Sequence, residues 1–137
     1  APVDPRDLFR GDYVIFSYDF SRYHLKQPPP AGYPGNINEV YAILSNQNGD
    51  YYELDYFSIQ KPEDTNIIYL KGKTLERLQE GATITYNIES YFVPEGEGKE
   101  YENYIGNDLL VNIHINPDGE ATIIKTNLKE LKKRGNS

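Results

Sequence analysis

Phe9-Arg10-Gly11-Asp12-Tyr13-Val14-Ile15-Phe16-Ser17-Tyr18, continuing into Asp19-Phe20, alternates between two sides of an extended chain. Val14, Phe16, Tyr18 and Phe20 fall on one side, Tyr13, Ile15, Ser17 and Asp19 on the other, so a strand with one fully apolar face is expected. A helix would repeat its apolar residues every third or fourth position, and that spacing is almost absent from the chain. Gly11-Asp12 has a plain structural use at the strand's start: Gly permits a tight approach and Asp accepts backbone hydrogen bonds from the turn. Arg10-Gly11-Asp12 also spells an integrin-type tripeptide, but a strand start displays it poorly.

Working outward, the same period of two returns. Residues 39–45 and 51–59 flank Asn48-Gly49-Asp50, whose Asn and Gly readily take the positive φ of a hairpin turn. A short strand at 67–73 follows, then a turn or two of helix through Leu75, Leu78 and Gly81. One long strand is expected over 82–93, with Ile84, Tyr86, Ile88 and Phe92 toward the core and Pro94 ending it. Val111, Ile113 and Ile115 alternate with Asn112, His114 and Asn116, and Pro117-Asp118-Gly119 turns the chain into residues 121–126. The prolines of 27–36 lack ladder donors, so that stretch reads as a stiff surface loop. Residues 128–134 hold Leu, Lys and Glu but are too few for an independent helix, so 128–137 is expected as a flexible basic tail. The expected fold is all-β: a mostly antiparallel sandwich or partly open barrel of about seven strands with one or two short helical turns. Residues 1–137 read as a single domain, since no repeat or internal linker interrupts them.

Composition narrows the function. The chain has 137 residues, a formal charge of −7, no cysteine, and thirteen tyrosines against five phenylalanines. Excess negative charge disfavours nucleic acid and anionic lipid, whose binding rests on Lys and Arg. The cations gather late, at Lys125, Lys129, Lys132, Lys133 and Arg134. Without cysteine there is no disulfide framework, thiolate zinc site or thiol nucleophile, and two histidines cannot build a multi-His zinc centre. Tyrosine suits half-covered sheets because its ring is apolar and its tip polar. No run approaches the roughly eighteen apolar residues of a membrane span, so the chain is expected to be soluble as given. It contains no methionine, so a segment upstream of Ala1 is expected.

Two stretches together resemble the signature segments of the bacterial GDYxxLxY family. The first is Gly11-Asp12-Tyr13-Val14-Ile15-Phe16-Ser17-Tyr18, with Phe16 where the family usually has Leu. The second is Tyr91-Phe92-Val93-Pro94-Glu95-Gly96, preceded by Ser90 where the family typically carries Arg. Tyr69-Leu70-Lys71-Gly72-Lys73 is similar to a basic-Gly-basic strand end of such proteins. The resemblance implies an exported protein held by an apolar anchor upstream, with residues 1–8 as a membrane-proximal stalk. It brings no established reaction with it.

The function expected is therefore a non-enzymatic, extracytoplasmic interaction domain of a membrane-anchored envelope protein, with protein as its partner and no cofactor or metal. Its candidate surface is the join of the two motifs: Asp12, Tyr13, Tyr18, Tyr91 and Glu95. Tyr18 is expected in the core, while Tyr13 and Tyr91 are expected to be exposed. Alternatives are a small hydrolase and a carbohydrate-binding module with exposed coplanar tyrosines. Asp12 and Glu95 would serve acid-base chemistry if they met. Arg10-Gly11-Asp12 and Ile67-Ile68-Tyr69-Leu70-Lys71 faintly resemble Ser/Lys signal-peptidase-type β-domains, although no serine precedes Ser17. Glu95, Glu97, Glu100 and Glu102 offer oxygens to calcium but lack the spacing of a known cage.

Overall fold

A computed structural model describes residues 11–16, 18–24, 38–75, 77–105 and 108–135. The expected stalk at 1–8 and the proline loop at 27–36 lie outside them. Eight strands are described: β1 (Gly11–Ile15), β2 (Glu39–Ser45), β3 (Glu53–Ser58), β4 (Ile68–Thr74), β5 (Ile84–Thr85), β6 (Ser90–Pro94), β7 (Val111–Ile115) and β8 (Ala121–Thr126). Two short helices accompany them, α1 (Glu97–Glu102) and α2 (Leu128–Gly135). The pairings β1–β6, β2–β3, β2–β4 and β4–β5 are all antiparallel. Among the described residues no sheet closes into a barrel: the orders are β1-β6, β3-β2-β4-β5 and β7-β8. The chain is all-β and mostly antiparallel, as expected.

The chain gathers into two compact units, one from Ala1–Phe16, Ile88–His114 and Thr122–Ser137, the other from Ser17–Asn87 and Ile115–Ala121. In the second, β2 and β4 are the interior strands of the four-stranded sheet, and Val40 and Ala42 of β2 are fully buried with Leu70 of β4. Their row packs the apolar face, where Tyr23 meets Phe57 at 5.1 Å between ring centroids. Gly72 lies on that row for lack of room: a Cβ there would collide with Ile84 and the Tyr86 ring. Tyr86 in turn donates its hydroxyl to the Phe20 carbonyl at 2.7 Å. Beyond the reach of β5, the tip of the β7–β8 hairpin touches the edge of β4. Lys71 N–H donates to the Gly119 carbonyl at 2.8 Å, and Gly119 (φ 84°) sits so close that a Cβ would meet the Tyr69 ring at 2.6 Å. Asn116 shapes this tip, its Oδ1 accepting the N–H of Asp118 and of Glu120.

Four expectations change. The single strand over 82–93 is two, because Asn87 takes a left-handed φ of 63° that an Asn tolerates and an extended ladder does not. Burial then shifts from even to odd positions, so Ile84, Tyr86, Ile88 and Val93 are buried and Phe92, expected inward, is 45% exposed. No helical turn forms at 77–80, and Leu75 is fully exposed while Leu78 is buried, whereas a helix would set residues three apart on one face. A helix forms instead after β6, at Glu97–Glu102. Finally, residues of the expected tail form α2, with Leu128 and Leu131 buried and Thr126 Oγ1 accepting the Leu128 N–H. Tertiary burial supplies what so short a helix lacks.

Candidate functional site

The first unit is built on the ribbon β1–β6. Gly11 pairs with Pro94, Asp12 with Val93, Tyr13 with Phe92, Val14 with Tyr91 and Ile15 with Ser90. Phe16 N–H extends the ladder to the Glu89 carbonyl at 2.6 Å. The two motif segments are thus neighbours, running in opposite directions. Glu95 follows Pro94 directly and is exposed at the ribbon's end, beside the Gly11-Asp12 end of β1.

A two-stranded ribbon is marginal in water unless something covers a face. Here α1 packs on both strands. Its chain leaves β6 through Gly96, whose φ of 91° suits glycine, and then brings Tyr101 inward. The Tyr101 ring lies edge-on to Phe16 at 6.1 Å and to Tyr91 at 6.3 Å, and its hydroxyl bonds Thr126 Oγ1 at 2.6 Å. Burial pushes the Tyr101 phenol up from its ordinary pKa, with Tyr91 and Glu97 adding to the effect and the Thr126 bond opposing it. Lys132 of α2 donates to Glu100 Oε1 of α1 at 2.8 Å, which raises the Lys132 pKa. Asn127 secures the preceding loop, its Oδ1 accepting the Leu110 N–H at 2.8 Å.

Of the five residues expected at the join, the side chains of Tyr18, Tyr91 and Glu95 are among those described. Tyr91 shares its register with Val14 and is half-buried, packed on Phe16 at 6.2 Å. Tyr13 is opposite Phe92 instead, one position along in the register. Tyr18 belongs to the other unit, half-buried and stacked on Phe20 at 4.9 Å with planes 3° apart. Asp12 stands opposite Val93. The side chains of Asp12 and Tyr13, like Arg10 and Ser17, lie outside the described residues. Sequence reasoning passed over Phe92, because its parity depends on Asn87, and Tyr101, because it sits among charges in Glu97-Gly98-Lys99-Glu100-Tyr101-Glu102. An aromatic residue amid charges was the available signal.

Lys71, the base of the Ser/Lys reading, directs its ammonium toward Glu120 at 3.8 Å. His24 faces Glu80 at 3.1 Å, and His114 is exposed. Among the described residues, no three of His, Asp and Glu gather to hold a metal. No helix among them is long and apolar enough to cross a membrane.

Fold and site together define an all-β chain whose paired motif strands are braced from one side by aromatic packing. The model of the GDYXXLXY protein family matches residues 1–125, and the chain belongs to that family. No curated protein and no solved structure matches it.

Proposed function

We propose that this chain is an interaction domain, exposed outside the cytoplasm and tethered to a membrane by a segment preceding it, and that its working surface is the uncovered face of the ribbon. One observation carries the reading. The two family motifs pair with each other, and the β6 row Ser90, Phe92 and Pro94 is open to solvent while the row Tyr91 and Val93 is covered. A single exposed phenylalanine is common on a protein surface. Phe92 stands out because it is opposite Tyr13 of the other motif, with exposed Glu95 three residues on. An apolar centre beside a charged rim is the usual anatomy of a protein contact.

The test uses the full-length protein in its own cells, with a photo-crosslinking residue at Phe92, at Glu95 or, as control, at Thr83. The first two should give the same discrete adduct and Thr83 should not. Identical smears from all three positions would remove the surface from consideration. Protease added to intact spheroplasts should digest the domain; protection would contradict an extracytoplasmic location.

A further inference from the structure

On the sheet of the second unit a shallow hollow of about 330 Å³ opens between the β2–β3 turn and the β3–β4 loop, and neither motif reaches it. Tyr52 and Tyr56 border it, 53% and 43% exposed, with exposed Asn46, Asp55 and Asn66 around them. A bulge builds this arrangement. Ile43 pairs with Tyr56 but Leu44 with Leu54, which leaves Asp55 as the extra residue. Successive residues of a regular strand face opposite sides, whereas a bulge re-aims one of them. Asp55 and Tyr56 consequently border the same hollow. Among the described residues, the side chains of Tyr52, Asp55, Tyr56 and Asn66 have no hydrogen-bond partner in the fold.

We propose that this hollow binds a neutral saccharide, with a pyranose ring laid on Tyr52 or Tyr56 and its hydroxyls shared among Asp55, Asn46 and Asn66. A sugar ring has a C–H face that matches an aromatic face and a rim of hydroxyls that both donate and accept. The lining has the same duality: amides donate and accept, and a carboxylate accepts. An ammonium ligand has donors only and would leave the amide N–H groups facing other donors. An anionic ligand would meet Asp55 on a chain of net charge −7. The volume lies at the small end of the range for ligand sites, fitting a residue or two of a chain and not a large cofactor. The site shares no residue with the ribbon surface, so each reading survives the loss of the other.

The experiment follows backbone amide shifts by NMR while the chain is titrated with neutral glucose and N-acetylglucosamine oligomers, and separately with oligolysine. At least one neutral oligomer should move Tyr52, Asp55, Tyr56 and Asn66 in a saturable way. Tyr56→Ala should weaken that binding about tenfold, the upper worth of one aromatic contact; Tyr52→Ala is the second variant should the first disturb the fold. Asp55→Asn keeps the shape and one accepting oxygen and offers sugar hydroxyls a donor in place of the other, so neutral-sugar binding should weaken by no more than about tenfold. The proposal is overturned by no shift at the sugars' solubility limit, by undiminished binding in both tyrosine variants, or by oligolysine binding that Asp55→Asn abolishes.

Discussion

The motif ribbon and the four-stranded sheet are both antiparallel, yet they are held by different means. In the sheet, β2 has a partner on each side from Tyr41 to Leu44, and its Val40 and Ala42 reach zero exposure. Glycines at 72 and 119 let chains approach where no Cβ fits. The ribbon has only two strands, and its cohesion comes from outside the ladder: the Tyr101 ring, its bond to Thr126, and the Lys132–Glu100 pair. A family motif therefore marks the part most dependent on side chains from elsewhere in the sequence, not the best-packed part.

Substitutions should separate the two modes. Leu70→Ala, in the fully buried row of the sheet, should cost about 4 kcal/mol in urea unfolding, the upper range for a cavity that neighbours on both sides keep from closing. Gly119→Ala combines a φ of 84° with a collision against Tyr69, and should cost about 2 kcal/mol. A stable Gly119→Ala would show that the hairpin tip contributes little to the sheet. Tyr101→Phe keeps the ring contacts and loses the bond to Thr126, so about 1 kcal/mol is expected, and less than half of that would mean the rings alone brace the ribbon.

Alkaline pH probes both regions at once. Burial is the first cause raising the Tyr101 phenol in the ribbon and the Tyr41 phenol in the sheet, with Glu39 adding to the latter through its charge and a 3.4 Å hydrogen bond. A raised folded value means the native chain holds those protons when the unfolded chain has lost them. Stability should then be unaffected below the ordinary tyrosine value of 10.0 and fall as pH rises past it through the folded values. Tyr101→Phe and Tyr41→Phe should each flatten part of that fall; an unchanged slope in both would refute the assignment. The smallest effect is expected from Lys132→Gln, whose partner Glu100 is half-exposed: a slight loss that disappears at high salt, seen by comparing melting in low and high NaCl.

Much of the ladder was legible in the sequence. The hairpin around Asn48-Gly49-Asp50 forms between β2 and β3, with Asn48 Oδ1 accepting the N–H of Asp50 and Tyr51. The alternation through Val111, Ile113 and Ile115 holds, and the chain turns at Gly119, whose φ is 84°. What failed did so at single residues. One left-handed Asn87 reset the parity behind Phe92, and one extra residue in β3 brought Asp55 to the side of Tyr56. Neither event changes composition or hydropathy, so a periodic reading passes over both. α2 was missed for another reason: its sequence is a poor helix alone and needs the burial of Leu128 and Leu131.

By itself the sequence determined the family, the all-β class, the turn sites and the exclusion of thiol chemistry, because motif order, alternation, Gly-Asn-Pro placement and residue inventory are local properties of the chain. Only the tertiary structure decided that Phe92 and not Tyr91 is open on the ribbon, that Tyr101 braces it, and that Tyr52, Asp55 and Tyr56 border one hollow. The first and last depend on the register between paired strands, and the second on how α1 packs against the ribbon. A shift of one position in register exchanges buried for exposed all along a strand.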